Sequence, residues 1–346
     1  MVNYLDSKRI MGTNTERTGT DAVSGSWVEL GRTTLGSTGS SIDVSSLDDK
    51  RYYMLLCNGD PVSSPCSDYI QMNGDTGSNY SWRISADGGA DSTSTSTTSI
   101  GGSLIDSSET VPRFYVAYVA NHSTNSKSMM LHATSGKSSG AGTAPSRREW
   151  VGKWANISNA INRFNYAASS NFATGSEMVV LGWDESDTHT NNFWELLDSS
   201  NGDGTGGWTS GTFTAKKYLW IQAWIEPSTT LTLKMRPNGS SSSDKAWRNS
   251  DDGTADNTNT SANSWNNMAS ISTPHFINMF IVNDGTNEPL MIGHAVGQNT
   301  AGAGNAPQRW EFVGKTSATT QFTSFEMNVT TGNLSTSSIM NIWGAD

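Results

Sequence analysis

Residues 141–153 read AGTAPSRREWVGK, and residues 303–315 read AGNAPQRWEFVGK. Nine of these thirteen positions are identical at a constant offset of 162 residues, which marks an internal duplication. The same register runs to the end of the chain. His132 maps to His294, Asn171 to Asn333, Ser176 to Ser338, Gly182 to Gly344 and Asp184 to Asp346. Upstream the offset drifts to 165 at Trp82/Trp247, 166 at Lys50/Lys216 and 167 at Trp27/Trp194, as loop insertions produce. The chain therefore divides into an N-terminal arm (1–23), a first repeat (24–184), a polar joint (185–190) and a second repeat (191–346). Each repeat is long enough to carry its own core.

In a strand, Arg147, Glu149 and Val151 share one face, as do Arg309, Glu311 and Val313. Lys153 and Lys315 close the two copies. The Arg/Glu couples read as same-face ion pairs holding an edge or a subunit contact; the alternative is a ligand-carboxylate clamp or an acid. Apolar runs of strand length surround the segment: 51–57, 113–119, 129–133 and 177–182 in the first repeat, and 218–225, 231–235, 276–282, 290–294 and 339–343 in the second. Gly, Asn and Ser turns separate them, and no amphipathic helix longer than three turns is evident. The polar tracts 91–103 and 256–264 read as exposed loops or edge strands. The expected fold is all-β: two tandem antiparallel β-sandwich or jelly-roll domains.

Composition agrees. Only 16% of residues are charged, Gly contributes 34 residues and Trp 13. That excludes a coiled coil, and the 9% aromatic content excludes a disordered chain. The net charge of −10 repels a phosphate backbone, so nucleic acid is not an expected partner. No stretch approaches a membrane span, and the first residues lack the apolar segment of a secretory signal. Cys57 and Cys66 read as reduced thiols, since the second repeat lacks both; a small-loop disulfide is the alternative.

Catalytic patterns are weak. Gly136-Lys137-Ser138-Ser139-Gly140 matches a nucleophile elbow only formally, because it sits in a Gly/Ser stretch that the second repeat does not keep. Asp87, Asp91, Asp252 and Asp256 recur in Gly-containing turns and read as turn caps rather than calcium ligands. His132 and His294 read as an inherited pair without a repeated carboxylate partner. Trp82 and Trp247, with Trp27 and Trp194, read as duplicated framework. Among the unmatched Trp150, Trp154, Trp183, Trp208, Trp220, Trp224, Trp265, Trp310 and Trp343, some could form a sugar-stacking platform, with core burial the expectation for each. No metal or cofactor is expected.

Three segments carry a resemblance: residues 3–10; residues 140–154 with Arg147, Glu149 and Lys153; and residues 172–182. Together they resemble uncharacterised virion structural proteins of marine tailed phages and related environmental viruses, over nearly the whole chain. The second repeat departs at Trp310, Thr316 and Leu334, where the first has Arg148, Trp154 and Phe172. The resemblance implies a non-enzymatic particle component, made in the host cytoplasm and resident in the virion. Expected partners are other copies of itself, other virion proteins and, for an appendage, host-surface glycan. The alternatives are a carbohydrate-binding pair of modules and a double jelly-roll capsid subunit. A glycan-degrading enzyme would need paired carboxylates, which the sequence does not nominate.

Overall fold

The computed structural model describes residues 27–122, 124–184, 192–297, 304 and 306–346. The expected N-terminal arm, with Lys8, Arg9 and Arg17, and the polar joint lie outside the described residues.

The described chain folds as strands. The first six are β1 (Val28–Thr34), β2 (Gly39–Ser45), β3 (Tyr52–Gly59), β4 (Asp68–Met72), β5 (Tyr80–Ala86) and β6 (Ser92–Thr97). There follow β7 (Arg113–Ala120), β8 (Lys127–Ser135), β9 (Ser146–Trp154), β10 (Arg163–Phe172) and β11 (Glu177–Trp183). The second repeat opens with β12 (Glu195–Asn201), β13 (Gly207–Thr209), β14 (Tyr218–Ile225), β15 (Leu231–Pro237), β16 (Lys245–Asp251) and β17 (Asn257–Ala262). It closes with β18 (Trp265–Ile271), β19 (His275–Val282), β20 (Leu290–Gly297), β21 (Gln308–Thr316), β22 (Phe325–Thr331) and β23 (Ile339–Ala345). Among the described residues, no helix is long and apolar enough to cross a membrane.

Each repeat is an antiparallel β-sandwich. In the first, an eight-stranded sheet ordered β1-β11-β3-β7-β8-β9-β5-β6 faces a three-stranded sheet ordered β2-β10-β4. In the second, the eight-stranded order is β12-β23-β14-β19-β20-β21-β16-β17, and the facing sheet is β13-β22-β15-β18. The two topologies coincide strand for strand, except that β18 has no counterpart strand in the first. The low-complexity tracts supply edge strands β6 and β17, whose polar side chains face water.

The continuous apolar runs are central strands buried on both faces. In β3, Tyr53, Leu55 and Cys57 enter the core, while Met54 and Leu56 are buried on the opposite face. The core joins the sheets through pairs such as Tyr53–Phe164 and Tyr115–Tyr166, each 5.4 Å between ring centroids.

The turns are duplicated too. Asp87-Gly88 and Asp252-Gly253 all have positive φ, between 51° and 74°. They are the central residues of tight turns, closed by the Gly89 amide on Ala86 O at 2.8 Å and the Thr254 amide on Asp251 O at 2.9 Å, within the five-residue β5–β6 and β16–β17 connections (87–91 and 252–256). Gly182 and Gly344 are conserved by the duplication for space. A Cβ on Gly182 would meet Leu30 at 2.5 Å and Lys50 at 2.7 Å, and one on Gly344 would meet Leu197 at 2.6 Å and Lys216 at 2.8 Å.

By their contacts the residues form two compact units, whose limits differ from those of the repeats. The first unit takes the described residues up to Ser135 and Arg148–Glu195; the second takes Gly136–Arg147 and Leu196–Asp346. The β8–β9 connection, part of the first repeat in sequence, thus belongs to the second unit.

Candidate functional site

The repeated segment performs different tasks in its two copies. In the second unit its charges fasten the 136–147 connection onto the sheet. Arg147 is nearly buried, with its guanidinium 2.7 Å from Asp256 and 3.0 Å from Glu311. Lys315, fully buried, donates from Nζ to the carbonyls of Gly136, at 2.6 Å, and Ser138. Arg248 donates to Pro145 O at 2.9 Å, and the Ser261 amide to Ala141 O at 2.8 Å. The Gly140 amide donates to Glu288 at 2.6 Å. The match to a nucleophile elbow at 136–140 is therefore a connection whose carbonyls receive Lys315.

The expected same-face ion pairs are realised unequally. Arg309 Nε lies 3.3 Å from Glu311, with the Arg309 side chain 59% exposed. Arg147 pairs with Glu311 and Asp256, residues 164 and 109 positions away.

In the first unit the other half of the segment lines an open depression of about 220 Å³ on the face of the eight-stranded sheet away from the core. Glu149 and Val151 stand on β9, Met130 and His132 on β8, and Arg83 and Ser85 on β5. Alternation places them there, since Trp150 and Trp154, their neighbours in sequence, enter the core. Arg83 pairs with Asp91 at 3.2 Å, both largely exposed. Met130 and Val151 are half exposed, and Lys153, next on that face, is exposed.

Sequence reading found no carboxylate repeated beside the two histidines, and the strand pairing corrects this. His294 lies directly opposite Glu311, and the ligand atoms of His132 and Glu149 are within 4.8 Å of each other. The pairing was missed because the partners are on different strands, 17 residues apart in both copies.

The framework tryptophans sit as follows. Trp82 packs edge-on against Trp150 at 5.0 Å and borders the core. Trp247 is buried opposite Gly314. The turn acids are engaged by the protein: Asp252 accepts the Arg309 amide at 2.8 Å, and Asp256 holds Arg147.

A third cluster escaped the sequence entirely. Asp68 and Arg113, both completely buried, pair at 3.0 Å in the core of the first unit. Tyr115 and Tyr166 donate to the same carboxylate, and the Leu104 amide to its other oxygen at 2.9 Å. Arg113 also donates to the carbonyls of Cys66, Asp106 and Glu109. Burial first pushes both tyrosines well above their ordinary range, helped by the Asp68 charge at Tyr115, and by Tyr115 and then Asp68 at Tyr166. Cys57 and Cys66 are free buried thiols, both raised chiefly by burial.

No protein-family model matches the chain, and no curated protein does. Among solved structures, domains LG4-5 of the mouse laminin alpha1 chain are similar at 7% identity, over 94% of this chain and 92% of that one, with a TM-score of 0.18. The fold stated above rests on the strand pairing.

Proposed function

We propose that this chain is a structural protein of a phage particle, a capsid-surface decoration or tail-appendage component that self-assembles and performs no catalysis. The observation that carries the reading is the use made of the repeated charges. Arg147, Glu311 and Lys315, the most distinctive residues of the duplication, are engaged in holding one connection against a sheet. A duplicated frame with its charges committed to cohesion suits a particle component, which must persist as a rigid body. The resemblance of the three sequence segments to phage virion proteins points the same way.

Mass spectrometry of purified particles tests this. The chain is expected at a copy number set by particle symmetry, with immunogold label on the head surface or the tail. Its absence from purified, infectious particles overturns the proposal.

A further inference from the structure

One line of cross-strand partners in the second unit has a composition that folding does not require. Ile339, Trp224, Phe276, Val296 and Arg309 stand opposite one another in turn across β23, β14, β19, β20 and β21. Trp224 and Phe276 are each 39% exposed and Val296 47%. The other twelve tryptophans of the chain are buried or half-buried. The corresponding line in the first unit is Glu177, Asn58, Phe114 and Thr134, and all four are buried. The duplication thus supplied the same positions twice, and only the second copy presents apolar rings to water. Adjoining exposed rings flanked by a further apolar side chain offer a flat contact surface.

We infer that this row is a binding platform for a neutral glycan chain. Trp224 and Phe276 are direct neighbours on a pleated sheet, with Cβ atoms about 5 Å apart. Their rings offer adjoining apolar faces, onto which the C–H face of a pyranose stacks. From Ile339 to Arg309 the row crosses four strand spacings, about 19 Å, which accommodates an extended oligosaccharide. The next row along the strands carries amides. Gln222 and Asn278 are cross-strand partners, and Asn278 Oδ1 accepts from Trp220 at 2.6 Å and Gln222 at 3.3 Å. That fixes the Asn278 amide with its NH2 as donor, a group suited to hydroxyls. Charge disfavours an acidic ligand: the protein carries −10, and Arg309, the cation of the row, is paired with Glu311. Size disfavours a second copy of the chain. The three exposed side chains present on the order of 250 Å², against roughly 800 Å² per partner in a stable protein interface.

The test is an array of neutral hexose and N-acetylhexosamine oligomers beside sialylated and sulfated ones, probed with the full chain. Trp224→Ala, Phe276→Ala and Met130→Ala are run in parallel, each checked for an unchanged thermal melt. The wild type and Met130→Ala are expected to retain neutral oligomers, and Trp224→Ala to weaken binding about tenfold or more. Phe276→Ala should weaken it less. The inference is overturned if no neutral oligomer is retained, if only acidic glycans bind, or if Trp224→Ala binds as the wild type does. It is also overturned if Trp224→Ala instead abolishes a concentration-dependent dimer. None of these outcomes bears on whether the chain is found in particles.

Discussion

The cores of the two sandwiches differ where their folds agree. At the positions of Asp68, Arg113, Tyr115 and Tyr166 in the first unit, strand register places Leu233, His275, Ile277 and Met327 in the second. One frame closes around a buried ion pair and the other around mostly apolar side chains. The ion pair is therefore no requirement of the sandwich. Its role follows from what lies beside it. In the second unit, β18 pairs with β15 and satisfies its backbone through the ladder. In the first, residues 98–112 form no strand and touch β4 through the isolated bridge Ile70–Ile100. Asp68 accepts amides from that connection, and Arg113 donates to its carbonyls. Side chains thus satisfy the backbone that a strand satisfies in the other copy.

The largest expected effect comes from breaking that network. Arg113→Ala leaves Asp68 buried and uncompensated, and should cost about 3–5 kcal/mol in denaturant unfolding. If the two cores are true alternatives, adding Asp68→Leu should recover part of the loss; a double variant worse than Arg113→Ala alone would break the comparison.

Next are the two arginines of the repeated segment. Arg147→Ala takes the closest cation from Asp256 and Glu311, which keep Arg248 at 3.5 Å and Arg309 at 3.3 Å, and should cost about 2 kcal/mol. Arg309→Ala, at an exposed pair, should cost under about 1 kcal/mol by the same melts. Equal losses would contradict the division of labour between the copies. The third contrast is Val313, 1% exposed, against Val151, 50% exposed. Replacing Val313 by Thr buries a hydroxyl and should cost about 1–3 kcal/mol, whereas Val151→Thr should change stability by less than about 0.5 kcal/mol.

The smallest effect is a pH dependence confined to the second unit, since Ala86 occupies the position of Asp251 in the first. Burial, then the neighbouring Asp252, raise Asp251 above its ordinary value of 3.8, against an opposing pull from His275. The folded state therefore disfavours the charged form. Stability is reduced above the raised value and regained as the carboxylate protonates on acidification. Asp251→Asn should raise the melting temperature slightly at pH 7, with the gain vanishing near pH 3. A gain of equal size at both pH values would count against this origin.

Much of the frame could be read from the chain because its signals are local. The 162-residue offset, the apolar runs and the Asp-Gly turns each lie within one stretch of sequence. The polar edge strands β6 and β17 were equally visible. Strands such as β1 and β10 were not. β1 is half-buried along most of its length, and β10 ends in a polar Ser-Ser-Asn stretch, so neither shows a continuous apolar run. The sites were hidden because they assemble over distance. Tyr115 and Tyr166 reach Asp68 from 47 and 98 residues away. Arg147 reaches Asp256 and Glu311, partners more than a hundred residues downstream, which no spacing rule reaches. Trp224 was one among nine unmatched tryptophans, and its exposure depends on which strands flank it.

The 136–147 connection has a consequence for dividing the chain. A fragment starting at Leu196 would hold every strand of the second unit's two sheets yet lose the carbonyls of Gly136 and Ser138 that receive Lys315. It would also lose the guanidinium of Arg147 that neutralises Asp256 and Glu311. Such a cut would take from the Lys315 ammonium two carbonyl acceptors and from the two carboxylates their closest cation. The halves of this duplicated gene can be separated on paper, but the second is no longer a self-sufficient module: part of its inventory is encoded upstream.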